Sequence, residues 1–201
     1  MRTLKTAAFF IILVSVILTG PGIFYSYAET VKTQGQSPSG TVPVLQNQSY
    51  QAGVEDLSDN KYFSKVLEAL KNAKSSIYMM MYLVNFNEKL KNSPVNQLVD
   101  ELINANKRGV KVKVILDQNI NYNNLGGGSG TWEREAKNDE LFFYLKKNGI
   151  EVYFDNVFMI THSKVIIIDE ETVILGSANW SMSSLKRNWE GCCLIRSKEL
   201  A

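Results

Sequence analysis

The chain holds one histidine and two cysteines in 201 residues. A single imidazole excludes any metal centre built from several histidines, and two thiols exclude a scaffold knit by disulfides. No such staple is needed, since a domain of about 150 residues buries roughly 70% of its unfolded surface. An excess of charge is missing too. The formal +2 comes from Arg2 and Lys5, in a segment without acids; from Glu29 onward 20 basic residues face 20 acidic ones. Nothing global advertises a polyanionic partner. What remains, 45% hydrophobic and 21% charged, describes an ordinary globular chain of one domain with an appendage.

The appendage comes first. Arg2 and Lys5 precede an apolar run over residues 7–18, interrupted only by Ser15. Gly20, Pro21 and Gly22 then break any helix, and Ser26 and Ala28 supply small residues at the −3 and −1 positions. Residues 1–28 therefore read as a secretory signal cleaved after Ala28. The alternative is a retained membrane anchor, because the uncharged residues 6–28 could span about 30 Å as a helix. The Gly-Pro-Gly break and the short apolar core favour cleavage. On either reading the remainder is expected outside the cytosol, periplasmic or secreted. Residues 29–49, rich in Thr, Gln, Ser, Pro and Gly, read as a flexible linker, with an edge strand at residues 42–45 as the lesser alternative. Residues 50–201 are the expected working domain.

Within it, Asp59 is placed to cap a helix whose apolar positions Tyr62, Phe63, Val66, Leu67, Leu70 and Ala73 recur at helical spacing. Residues 77–84 form a nearly continuous apolar run, the pattern of a strand covered on both faces, with Met79, Met80 and Met81 as core filler. Pro94 opens a second amphipathic helix ending near Gly109, and Val110, Val112, Val114 and Leu116 alternate along a strand. A third helix is expected over residues 133–147. Strands follow over residues 150–154, 164–169 and 172–175, then a short helix from about Trp180 and a last strand near residues 192–195. Helices alternating with strands predict an α/β fold with a mixed, largely parallel sheet sandwiched by helices.

The chemistry gathers late in the chain. His162 and Lys164 open an apolar strand that ends in Asp169, and six residues later come Gly176, Ser177, Ala178 and Asn179. Strand side chains alternate, so His162 and Lys164 share one side while Asp169 points to the other. Asp169 is therefore expected to support the turn at residues 169–171 or to pair with a charge behind the sheet. The next strand returns Ser177 and Asn179 towards His162 and Lys164. A nucleophile or base, a cation, a hydroxyl and an amide converging on one point suit a phosphate group.

Written out, this is H-x-K, four residues, D, six residues, G-S-x-N, and it resembles the signature of the phospholipase D superfamily. The likeness extends to Glu190, eleven residues after Asn179, and covers roughly residues 50–196. It implies a phospholipase D-like fold and a two-step displacement at phosphorus. One histidine forms a phosphohistidine, a second protonates the leaving alcohol, and water or another alcohol resolves the intermediate. It further implies that Glu190 hydrogen-bonds the imidazole, that Asp169 and Gly176 serve structure, and that neither metal nor cofactor is required. Relatives with two motifs supply both histidines from one chain. Here two chains are expected to pair about a two-fold axis, a homodimer with a shared site.

Weaker signals surround this core. The Gly- and Asn-rich residues 121–131 follow a strand, where loops in α/β folds line sites, so Tyr122 and Trp132 are candidate substrate contacts, although a mobile surface loop without chemical role is the favoured alternative. Trp180, Lys186 and Arg187 join them by proximity to the motif. Adjacent Cys192 and Cys193 point to opposite faces and read as small buried hydrophobes rather than a strained disulfide. Two substrates fit: phospholipid head groups, consistent with export, membrane association and zero net charge, and nucleic acid, as in small exported bacterial single-motif endonucleases. Lys107, Arg108, Lys111 and Lys113 could form a basic patch for the second. The lipid reading is preferred. A third reading takes the chain as half of a longer two-motif enzyme of phospholipase D or cardiolipin synthase type, since relatives commonly begin a closing helix where residues 197–201 stand.

Overall fold

The computed structural model describes residues 51–118, 120–123, 131–156 and 160–201, with backbone alone over 120–123 and 131–134. The signal, anchor and linker readings lie outside the described residues. The chain runs β1 (Gly53–Asp56), α1 (Lys61–Asn72), β2 (Ser76–Met81), α2 (Pro94–Lys107), β3 (Lys111–Leu116), β4 (Ile120–Asn123), β5 (Thr131–Arg134), α3 (Asp139–Lys147), β6 (Glu151–Phe154), β7 (Lys164–Ile168), β8 (Thr172–Gly176), α4 (Met182–Lys186) and β9 (Cys192–Arg196). Seven strands form one sheet in the order β1-β9-β8-β7-β2-β3-β6, and β4 and β5 form a separate hairpin.

The sheet is mixed, as expected, and flanked by helices, but it is not mostly parallel. Among the strands of the described residues parallel pairing is confined to β2 with β3 and β3 with β6, with one isolated parallel bridge between Val84 and Trp180. The pairs β2–β7, β7–β8, β8–β9 and β1–β9 are antiparallel. Three residues, Asp169, Glu170 and Glu171, separate β7 from β8. So short a turn can join only antiparallel neighbours, whereas the helices between β2, β3 and β6 are long enough for parallel crossovers.

Local chemistry sets the helix ends. Ser93 caps α2, its Oγ accepting the Asn96 N–H at 3.1 Å, with Pro94 just inside. Gly109, at φ 91°, turns the chain out of that helix. Asp59 does not cap α1: the cap is Asn60, and Asp59 takes a left-handed φ of 58°. The expected third helix is shorter than its pattern, because Thr131–Arg134 pairs with β4 instead and α3 starts at Asp139.

Ile77, Met79 and Met81 are buried on one sheet face beside Val112, Val114 and Leu116 of β3 and Ile166 and Ile168 of β7. The opposite face is covered only in part. Met80 is 37% exposed and Tyr153 54% exposed, so β2 is not buried on both sides and Met80 is not core. Alternation makes this unavoidable: a strand with one open face still carries whatever apolar residues stand there.

Candidate active site

Antiparallel pairing of β2 with β7 brings the end of β2 against the start of β7, with Met81 opposite Lys164. The end of β8 and the start of β9 meet at the same sheet end, Gly176 opposite Cys192. The carboxyl ends of β3 and β6 arrive there too. Ligands of open α/β sheets bind at such a switch in strand direction. The candidate residues are therefore gathered by topology rather than by closeness in sequence.

His162 is exposed at this edge, and Lys164 is buried, its Nζ donating to the His162 carbonyl at 2.8 Å. Burial pulls the Lys164 ammonium below the usual lysine range, opposed by the charges of Glu190 and Asp117. Both side chains meet the ring of Tyr82, the residue that follows β2. The imidazole lies 4.5 Å from its centroid at an interplanar angle of 61°, and the ammonium 4.8 Å from the same centroid.

Ser177 is tied to Glu190: its hydroxyl donates to the Glu190 carboxylate and accepts the Gly191 N–H at 3.1 Å. Asn188 donates to the other carboxylate oxygen at 3.2 Å. The Glu190–imidazole bond implied by the family likeness is not formed here; the Glu190 oxygens meet Ser177 and Asn188 instead. Among the described residues the imidazole takes part in no hydrogen bond. For the same reason the Ser177 proton points at Glu190 rather than outward. The Asn179 side-chain oxygen is buried without a hydrogen-bond partner among the described residues, a costly state for a polar atom.

The remaining candidates separate. Asp169 is at the far end of β7, where its carboxylate accepts the backbone N–H groups of Lys74, Ser75 and Ser76 and the Ser75 hydroxyl. It braces the turn between α1 and β2, neither its own turn nor a charge behind the sheet. Burial raises this carboxyl, but the hydrogen bonds from Ser75, Ser76 and Lys74 outweigh it and hold the group below 3.8. Gly176 is a contact point of β8 with β9: a Cβ there would stand 2.5 Å from both Cys192 Sγ and the Gly191 carbonyl.

Trp180 is fully buried, its indole N–H donating to the Tyr62 hydroxyl at 3.3 Å, so it is a core residue and not a substrate contact. The Lys186 ammonium lies 4.6 Å over the Phe63 ring of α1, and Arg187 is exposed. Tyr122 and Trp132 stand opposite each other across the β4–β5 hairpin; their side chains lie outside the described residues. Both cysteines are free, Cys192 buried and Cys193 partly so.

The sequence reading missed several groups that hold the site. Asp117, 2% exposed, accepts the Thr161 N–H at 2.7 Å, with Asp155 on the same N–H at 3.2 Å. Asn138 ties the ends of β2 and β3 together by donating to the Tyr82 and Asp117 carbonyls, both at 2.9 Å. Asp59 grips the Glu190 backbone at both ends, donating to its carbonyl at 3.0 Å and accepting its N–H at 2.9 Å. Tyr82 and Asp117 carry no local signal, because their importance rests on which strands become neighbours, and the tie of Asp59 to Glu190 carries none because the two are 131 residues apart.

Comparison with known proteins bears on the family. The domain model described as "Cardiolipin synthase, PLD-like domain" matches residues 66–201. The chain is 37% identical over 136 residues to a Rickettsia typhi protein named phospholipase D, covering 68% of this chain and 55% of that one. A mouse protein named mitochondrial cardiolipin hydrolase is 29% identical over 136 residues, 68% of this chain and 51% of that one. The chain thus spans about half the length of the curated relatives it matches. Among solved structures, the phospholipase D family member Nuc from Salmonella typhimurium superposes with a TM-score of 0.57 at 28% identity, covering 75% of this chain and 87% of that one. NucT from Helicobacter pylori, at 19% identity and a TM-score of 0.50, shares the fold. A domain match across two thirds of the sequence, on a mixed sheet of the same architecture, shows that this chain belongs to the phospholipase D superfamily.

Proposed function

We propose that the chain is a phosphodiesterase that works through a phosphohistidine on His162 and cleaves phospholipid head groups. The observation that carries this reading is the meeting of an exposed imidazole, without a hydrogen bond among the described residues, with a buried ammonium at one sheet end. The imidazole nitrogen attacks phosphorus and the leaving alkoxide takes a proton. Water then displaces the histidine, giving a phosphomonoester and restoring the free imidazole. Lys164 neutralises charge on the non-bridging oxygens, and Asn179 adds a polar contact. With one histidine per chain, the acid is His162 of a second copy, so the working form is a homodimer with a shared site.

Two observations favour lipid. Trp189, next to Glu190, is 92% exposed, and tryptophan suits the boundary between water and acyl chains. In the basic patch considered for nucleic acid, Arg108 pairs with Glu101 and Lys113 with Glu151, which spends their charge locally. Relatives named phospholipase D and cardiolipin hydrolase point the same way. Export of the domain, with cleavage near Ala28 or retention by residues 6–28, would bring it to membrane lipid outside the cytosol.

The test is an assay of the purified chain, in chelator, on phosphatidylcholine vesicles and on plasmid DNA. Head-group release that disappears in His162→Asn, together with acid-labile phosphate on the wild-type protein alone, is the expected result. Cleavage of DNA without any lipid turnover would overturn the substrate, and an active monomer would overturn the shared site.

A further inference from the structure

Tyr82 stands where the nucleophile and the cation meet. It is the first residue past β2, and its main chain is held from both sides. Its N–H donates to the Ser163 carbonyl at 2.9 Å, between His162 and Lys164 in sequence, and its carbonyl accepts from the buried Asn138 amide at 2.9 Å. Asn138 in turn accepts the Val84 N–H at 2.9 Å, so the anchor reaches across the end of β2. The Tyr82 backbone is thereby referenced to the motif strand itself.

From that anchor the side chain reaches both reacting groups. The imidazole and the tyrosine ring meet edge to face, 4.5 Å between centroids at 61°, and the Lys164 ammonium sits 4.8 Å from the tyrosine centroid. Two chemical consequences follow from the use of a ring. An edge contact orients the imidazole without occupying Nδ1 or Nε2, leaving one nitrogen to attack and the other to carry a proton. The π face attracts the ammonium without neutralising it, whereas a carboxylate in the same place would consume the charge meant for the phosphate. Lys164 is desolvated and its one side-chain hydrogen-bond acceptor among the described residues is the His162 carbonyl, so an attractive ring is a substantial part of its surroundings.

We propose that Tyr82 is a positioning residue: its ring fixes the rotamer of His162 and holds Lys164 beside it, setting the imidazole-to-ammonium spacing for one phosphate group. The inference rests on the phosphodiesterase reading for its catalytic consequence and on geometry alone for the contact. The ring, not the hydroxyl, performs this task.

The single histidine makes the contact directly observable, because the chain has one imidazole Cε1–H resonance. The wild type and Tyr82→Phe should both carry a ring-current displacement of that resonance, and Tyr82→Leu should lose it. Turnover in Tyr82→Leu should fall about 100-fold in kcat, the cost of a misplaced reacting group, with Tyr82→Phe within about 3-fold of wild type. KM should change little in either. Removing an attraction for the charged ammonium also moves the alkaline limb of the kcat/KM profile to lower pH in Tyr82→Leu, which a purely structural lesion would not do. Tyr82→Met, a flexible apolar replacement, serves if the leucine variant does not fold.

A Leu or Met variant that keeps the displaced resonance, or that keeps wild-type kcat, overturns the proposal. So does a phenylalanine variant as damaged as the leucine one, since that would place the role on the hydroxyl. If the wild type cleaves no phosphodiester, the phosphodiesterase reading fails, while the resonance still decides the contact.

Discussion

Replacing Asp169 by alanine should destabilise the domain without touching its chemistry. The carboxylate accepts the N–H groups of Lys74, Ser75 and Ser76 at 3.0, 2.7 and 3.0 Å and the Ser75 hydroxyl at 2.9 Å. Hydrogen bonds to an ionised group contribute about 1.5–3 kcal/mol each, but four on one carboxylate are not additive, and part of this turn can recruit water. Asp169 also sits at φ 55°, where alanine costs about 1 kcal/mol more than aspartate or asparagine. Together these give about 3–5 kcal/mol for Asp169→Ala, or roughly 10 °C in Tm for a domain of this size. Asp169→Asn keeps one acceptor oxygen and the left-handed backbone, and should lose about half as much. The folded carboxyl titrates below its ordinary 3.8, so its contribution is complete above that pH and is lost as pH falls through the lower folded value. The difference between wild type and Asp169→Ala in urea should therefore shrink on acidification below about pH 4. Activity per folded molecule should stay within about 2-fold, because the residue is at the opposite end of β7 from His162. An alanine variant as stable as wild type, or one with intact stability and lost turnover, would refute the reasoning.

Three other outcomes are expected. Gly176→Ala forces a Cβ against Cys192 Sγ and the Gly191 carbonyl, so it should cost about 2–3 kcal/mol in urea unfolding and lower turnover by displacing Ser177 and Gly191. Trp189→Ala should weaken binding to phospholipid vesicles, read by co-sedimentation, while leaving turnover of a soluble short-chain substrate within about 2-fold, because the side chain is exposed. Mixing wild type with excess His162→Asn and allowing subunits to exchange should depress activity below simple dilution, since each mixed pair would hold one histidine; activity in proportion to wild type alone would argue for independent chains.

The motif strand, the two helix-linked strands before it and the helix pair were legible because apolar periodicity and capping residues are local signals. Pro94 marked the start of α2 correctly, and the structure adds Ser93 as its cap. Asp59 carried an equally good local signal and was misread, because its carboxylate is claimed by the Glu190 N–H and the cap passes to Asn60. Glu133 and Arg134 fit a helix by composition, yet cross-strand pairing with Asn121 and Ile120 wins. The parallel bias of the expected sheet came from counting helices between strands; the three-residue turn after β7 contained the opposite information. In the site, H-x-K and G-S-x-N were visible as a pattern, whereas Tyr82, Asp117 and Asn138 were not. Their significance depends on which strands become neighbours, and no periodicity encodes that.

β7 is also a beam clamped at both ends. At one end the Lys164 ammonium is tied to the His162 carbonyl; at the other the Asp169 carboxylate is bolted to the main chain of Lys74, Ser75 and Ser76. Four residues lie between the clamps, Val165, Ile166, Ile167 and Ile168, all apolar and none reactive. Deleting one would keep the composition of the strand but turn one clamp to the wrong face, because side chains alternate with every residue. The fixed count in the motif is thus a mechanical tolerance: it measures a span of sheet, and the chemistry at one end depends on the anchorage at the other.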